Sequence, residues 1–262
     1  MTHVQDDLGF DFELPHQVHR VVSLVPSLTE AIARTLPGRL VGATDWCTQP
    51  ADFDVVRVRG TKNPDLALIC KLWPDLVVAN QEENRKLDVA RLRAAGIPVW
   101  VTRIDDVASA LGSLARLFEQ AFGVVERPDW LTAADRIWHL PATMPGLRVA
   151  VPVWRDPWIW VGAGTYAHDL LARLGLVNVA ATKAGHYPNL DVAELLAESV
   201  DLILLPDEPY RFCAADGPDA LEGVPTVLVP GRALFWYGPA MTTARDILVQ
   251  ALVNRSGSGS SS

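Results

Sequence analysis

The chain carries one pattern twice, and that repeat limits what it can fold into. Residues 63–82 open with Asn63-Pro64-Asp65-Leu66, pass through a short helical stretch and reach Pro74-Asp75-Leu76-Val77-Val78-Ala79-Asn80-Gln81-Glu82. Residues 189–208 open with Asn189-Leu190-Asp191-Val192 and end in Val200-Asp201-Leu202-Ile203-Leu204-Leu205-Pro206-Asp207-Glu208. The register holds throughout, with Asp75 against Asp201 and Glu82 against Glu208, each pair 126 residues apart. A helical stretch, then an apolar run of strand length, then an acidic loop predicts two similar α/β units. Two such units facing one another make a cleft that holds a ligand.

Composition narrows the class of ligand. The 262 residues are 49% hydrophobic, ample for a sizeable core, and 31 acidic against 23 basic side chains give a net charge of −8. With no Lys/Arg cluster, this argues against nucleic acid or an anionic membrane surface and for a small molecule or a protein partner. No run of apolar residues is long enough to span a membrane. The segment Met1 to Glu13 is polar and acidic where a secretory leader would be basic and then apolar. This favours a cytoplasmic protein over an extracytoplasmic one whose leader has been trimmed. Three cysteines in so long a chain do not form a disulfide framework. Cys70 reads as a core residue, and Cys47, beside Trp46, reads as a small residue of a loop rather than a nucleophile.

Strands are expected at Arg20 to Val25, Leu40 to Thr44, Leu76 to Ala79 and Pro98 to Val101, with helices between them, so the sheet is parallel. Ser27 is expected to cap the first helix, with Glu30 three residues on. Residues 1–103 form the first α/β lobe, 104–141 a helical linker broken at Pro128, and 142–255 the second lobe. The second lobe is expected to have strands at Arg148 to Trp154, Trp158 to Val161, Leu176 to Ala180, Leu202 to Leu205 and Thr226 to Val229. Residues 256–262 have the composition of a flexible tail.

Arg20-Val21-Val22-Ser23-Leu24-Val25-Pro26-Ser27-Leu28-Thr29-Glu30, the Leu40-to-Trp46 strand, the Gly60-Thr61 turn, the Pro74-Asp75-Leu76-Val77 start of a strand and the helical linker resemble the class III substrate-binding proteins of ABC transporters. These are the vitamin B12 and ferric-siderophore receptors, or helical-backbone metal receptors. The resemblance covers roughly residues 18–253. It implies two α/β lobes, each with a mostly parallel sheet flanked by helices, joined by a helical linker. It further implies a monomer without a cofactor of its own, non-enzymatic, holding a corrinoid, haem-like molecule or ferric siderophore that brings cobalt or iron with it. An ABC permease is the implied partner. Where the family carries docking glutamates, this chain has Ala67 and Ala193; the nearby carboxylates are Asp65 and Glu194. A cytosolic relative of the receptors is the other form the resemblance takes.

Ligands of open α/β sheets bind beyond the carboxyl ends of the strands. In the first lobe that rule selects Trp46, Asn63 and Glu82; in the second it selects Trp154, Arg155, Trp158, Tyr166, Tyr187, Glu208, Arg232, Trp236 and Tyr237. Aromatic faces suit a flat ligand, and arginine suits a carboxylate or phosphate arm. Trp100, Trp138 and Trp160, set among apolar neighbours, read instead as core. The histidines have no metal-site spacing, although His186 beside Tyr187 is a candidate axial ligand to a ligand-borne metal. Gly162-Ala163-Gly164-Thr165-Tyr166-Ala167 fits a glycine-rich phosphate loop, so the alternative is an α/β enzyme that binds a nucleotide at Gly162 to Gly164.

Overall fold

The computed structural model describes residues 1–221 and 223–254; the tail 256–262 lies outside the described residues. The chain opens with a hairpin of β1 (Thr2–Gln5) and β2 (Asp11–Leu14). Sequence reading misses this hairpin because only Val4 and Leu14 are buried, so no apolar run marks it. There follow β3 (Val21–Ser23), α1 (Pro26–Thr35), β4 (Leu40–Ala43), β5 (Val56–Arg57), the small hairpin of β6 (Arg59–Gly60) and β7 (Asn63–Pro64), α2 (Leu66–Lys71), β8 (Leu76–Asn80), α3 (Lys86–Ala94) and β9 (Val99–Thr102). Strands β5-β4-β3-β8-β9 form one parallel sheet in that order. Every residue of β3, β8 and β9 is buried, as a sheet covered on both faces requires. Val22, Leu24, Ile69, Val77, Val99 and Val101 anchor its core.

Next come α4 (Val107–Arg116), which runs into a π-helical turn at Leu117–Ala121, and α5 (Asp129–Trp138). The remaining elements are β10 (Arg148–Ala150), the antiparallel ribbon of β11 (Pro152–Trp154) and β12 (Ile159–Trp160), α6 (Tyr166–Leu174), β13 (Val177–Asn178), α7 (Val192–Leu196), β14 (Leu202–Pro206), β15 (Thr226–Val229), α8 (Gly231–Phe235) and α9 (Met241–Asn254). Strands β13-β10-β14-β15 form a second parallel sheet, with Trp160, Leu195, Ile203, Leu205 and Phe212 in its core. The described residues group into two compact units: 1–104, 108–134 and 237–239 in one, and 105–107, 135–236 and 240–254 in the other.

The sequence repeat survives at the level of single hydrogen bonds. Asp65 caps α2 by accepting from the Leu68 N–H, and Asp191 caps α7 by accepting from the Glu194 N–H, each cap 126 residues from its counterpart. After each helix one residue sits in the left-handed region, Trp73 at φ 47° and Ser199 at φ 56°. An arginine from the strand beside it then claims the helix-end carbonyls. Arg20 donates to the Leu72 and Trp73 carbonyls, and Arg148 to those of Glu198 and Ser199. Asp75 accepts from the Arg20 N–H at 2.9 Å, and Asp201 from the Arg148 N–H at 2.8 Å. These clasps satisfy carbonyls that a helix end otherwise leaves open, and they fix where each buried strand begins.

One expected cap is replaced. Helix α1 starts from Val25, with Pro26 in its first turn, and Ser27 makes no cap hydrogen bond. The missing N–H and preset φ of Pro26 start the helix earlier than Ser27 would. Glu30 is buried and pairs with Arg34 at 2.8 Å.

Candidate functional site

In the first unit, the loops after β4 and β8 form a braced group at the carboxyl edge of the sheet. Trp46 stands 67% exposed, while its neighbour Cys47 is buried and lies 3.0 Å from the Thr29 hydroxyl and 3.1 Å from that of Thr44. Burial pushes the Cys47 thiol up, so it stays protonated and acts as a post for the loop. The Arg57 guanidinium ties the same loop by donating to the Thr44 and Cys47 carbonyls. The acidic loop Gln81–Asn84 is held by two buried asparagines. The Asn80 side chain accepts from the Glu82 and Glu83 N–H groups, while Asn84 accepts from the Asn80 N–H and donates to the Leu24 and Thr61 carbonyls. Lys62 donates to the Glu82 carbonyl. Asn63 is exposed, and its amide oxygen packs on Gly60, where a Cβ would collide with it. Tyr237 joins this unit: 5% exposed, it donates from its hydroxyl to Glu83 Oε1 at 2.9 Å. Burial, and then the Glu83 charge, hold the Tyr237 phenol well above its usual range, so it remains a donor at neutral pH.

In the second unit the aromatics form a stack. Trp158 lies nearly parallel to Trp160 at 5.4 Å and to Phe212 at 5.9 Å, and Trp154, 46% exposed, meets Tyr210 edge-on at 5.5 Å. Arg155 forms ion pairs with Asp216 and, at 3.0 Å, with Asp219, while the Tyr210 hydroxyl donates to Asp216 at 2.7 Å. The bonded guanidinium holds the Asp219 carboxyl down to about 2, so the pair is ionised at any physiological pH. Arg155 thus spends its charge within the protein, bracing the loop that presents Trp154 and Trp158. Asp216 and Asp219 escape sequence reading because they lie 61 and 64 residues from Arg155.

Glu208 is half-buried after β14, and its Oε1 is buried without a hydrogen-bond partner among the described residues. Burial, and then the neighbouring Asp207 charge, raise its carboxyl; the Trp236 indole N–H and Arg232 pull the other way. Gly231 lies directly on this turn, donating to Asp207 at 2.7 Å. Arg232 sits over the Trp236 ring at 5.3 Å. Trp236 itself is 7% exposed, and Tyr166 is buried at the start of α6, its phenol pushed up by burial. Tyr187 and His186 are exposed. The structure therefore brings Trp154, Arg155 and Trp158 into one group and Glu208, Arg232 and Trp236 into another, and sets Tyr166 inside the core.

The glycine-rich segment has a different job from the one its spacing suggests. A Cβ on Gly162 would lie 2.5 Å from the Gly185 carbonyl oxygen and 2.8 Å from Pro188, and one on Gly164 would lie 3.1 Å from the His186 ring. The glycines admit residues 185–188 at close range, a packing role that by itself accounts for glycine at both positions. Thr165 caps α6 by accepting from the His168 N–H. Trp100, Trp138 and Trp160 are core residues, as their apolar neighbours indicate.

The chain has the fold of the class III substrate-binding proteins. The periplasmic heme-binding protein RhuT of Roseiflexus sp. RS-1 superposes with a TM-score of 0.76 at 21% identity, covering 91% of this chain and 99% of that one. In sequence, the chain is 23% identical over 195 residues to the vitamin B12-binding protein of Vibrio cholerae, covering 72% of this chain and 71% of the relative. It is also 26% identical over 202 residues to the ABC transporter substrate-binding lipoprotein YvrC of Bacillus subtilis, itself uncharacterized, covering 72% and 64%. No protein-family model matches the chain. Among the described residues, no helix is long and apolar enough to cross a membrane.

Proposed function

We propose that this protein binds a metal-bearing small molecule, a corrinoid, haem-like compound or ferric siderophore, and delivers it unchanged. The observation that carries this reading is the placement of Trp46 and of the Trp154–Trp158 group. Trp46 stands exposed on the braced loop after β4, and Trp154 stands half-exposed on the ribbon that follows β10, backed by Trp158 and Tyr210; both present aromatic surface suited to a flat macrocycle at little entropic cost. The names of the relatives, which bind vitamin B12 or haem, support the same class of ligand. An ABC permease as partner, and an extracytoplasmic place of work rather than the cytoplasmic one expected from the polar, acidic segment Met1 to Glu13, are supported by the lipoprotein and periplasmic relatives.

Arg155 acts on the ligand indirectly, by holding Trp154 and Trp158. Asp65 and Glu194 are the proposed permease contacts. They lie at the first turns of α2 and α7, where they also cap those helices. Titration of the protein with cobalamin, cobinamide, haemin and ferric siderophores, followed by tryptophan quenching and ligand absorbance, tests the reading. Saturation by one of them, weakened at least tenfold in Trp46→Ala and in Trp154→Ala with folding intact, is expected. No response to any of the four classes overturns it. Uptake in cells carrying Asp65→Asn with Glu194→Gln separates docking from ligand binding, which should be unchanged in that variant.

A further inference from the structure

Strand β9 is an edge strand, and its outward backbone groups are met by the turn between β1 and β2 and by Arg93 of α3. The Val101 carbonyl accepts from the Asp7 N–H at 3.2 Å, and the Val101 N–H donates to Asp6 Oδ2 at 3.3 Å. The Arg103 N–H donates to Asp7 Oδ2 at 3.0 Å, and the Val99 carbonyl accepts from Arg93 Nη2 at 3.0 Å. Side chains here stand where a neighbouring strand's backbone would be. The turn is itself pinned. Asp6 is 1% exposed, accepts from the Leu8 and Phe10 N–H groups and pairs with Arg93 at 2.6 Å. Asp7 pairs with Arg116 at 2.8 Å and accepts from the Ser113 hydroxyl, and Arg116 also donates to the Gln5 carbonyl. The Arg93 guanidinium lies 3.6 Å from the centre of the Phe10 ring.

An uncovered edge of this kind is a template for pairing with another chain. At the opposite edge of the sheet, β5 is only two residues long and offers little to pair with. We propose that the Asp6-Asp7 turn is a built-in edge cap, and that the surface beneath it, the outer edge of β9, pairs with the same edge of a second copy of this chain when the cap is lost. The cap works by giving the Val101 and Arg103 N–H groups charged acceptors that Arg93 and Arg116 hold in place, so an incoming strand would have to exchange charge-assisted hydrogen bonds for neutral ones.

The test is the association state of Asp6→Ala/Asp7→Ala across a wide concentration range by sedimentation velocity, with far-UV circular dichroism to establish folding. The proposal expects the unaltered chain to stay at monomer mass and the variant to move to dimer mass as concentration rises. Adding Val101→Pro, which removes an outward N–H while leaving the bonds to β8 in place, should return the variant to monomer mass, with circular dichroism again establishing that the altered core is folded. A folded double variant that stays monomeric overturns the proposal, and so does association that Val101→Pro leaves untouched. Should the double variant lose its circular dichroism, hydrogen exchange on the unaltered chain decides. The Val101 and Arg103 amides must exchange as slowly as those of Trp100 and Thr102, and fast exchange at either removes the cap.

Discussion

Gly231→Ala should be one of the most damaging single-methyl additions in the chain. An ideal Cβ at this position falls 2.5 Å from Glu208 Cγ, 2.5 Å from the Glu208 carbonyl oxygen and 2.9 Å from its amide nitrogen. Comfortable carbon contacts begin at about 3.5 Å, so the two segments must part by close to an ångström. Two of the three obstructing atoms are backbone, which no rotamer change relieves. Overpacking of this kind costs about 1–3 kcal/mol. Parting the segments also weakens the Gly231 N–H bond to Asp207, a charged-acceptor bond of the class worth about 1.5–3 kcal/mol. A total loss of about 2–4 kcal/mol follows, since the two costs share one displacement and do not add in full. In a chain of this length that is a fall in melting temperature of about 4–16 °C. Urea and thermal denaturation measure it, with Gly112→Ala as the control. Gly112 lies within α4 with nothing within 4 Å of its added Cβ, and alanine there should stabilise by about 0.5–1 kcal/mol. A Gly231→Ala protein within about 0.5 kcal/mol of the original, the scatter of ordinary surface changes, would show that the Glu208 turn yields freely and would refute the steric reasoning.

Other expectations follow from the same geometry. The Glu208 carboxyl titrates higher in the folded protein than in the unfolded chain, so its contribution is fully present below the unfolded value and is lost as pH rises through the folded one. Glu208→Gln should therefore be more stable than the original at neutral pH, with the difference closing below about pH 4; urea midpoints across that range check it. Asp201→Ala removes the acceptor of the Arg148 N–H and should cost about 1–2 kcal/mol, read from the denaturation midpoint. Asp191→Ala dissolves the capping box of α7 and should cost about 1 kcal/mol. Ser199→Gly relieves a left-handed non-glycine residue and should stabilise by up to about 1 kcal/mol in the same assay.

Legibility from sequence tracked how local each signal was. The buried strands β8 and β14 and the helices before them were plain, because continuous apolar runs and turn residues lie within a few positions of one another. The hairpin of β1 and β2 was hidden because its work is done by Asp6 and Asp7 against residues 87 to 109 positions away. At the candidate site, the exposure of Trp46 and Trp154 was readable from their polar neighbours. The burial of Trp236 was not, since the Arg232 packed on it suggests a surface. The partners of Arg155 were unreadable for a related reason: an arginine between two tryptophans looks like a ligand anchor until the fold brings two aspartates to it. The Gly162 motif is ambiguous in sequence because close backbone packing and phosphate binding ask for glycine at the same spacing.

The three residues Tyr237–Pro239 group with a unit whose other members all precede residue 135. Tyr237 there donates to Glu83, and Gly238, at φ 110°, lies against Ser27 and Ala31. During synthesis the first unit lacks this buried tyrosine until roughly a hundred further residues are made. A deletion series from the carboxyl side should lose that unit as a step once Tyr237 is removed, long before the cut reaches any of its strands.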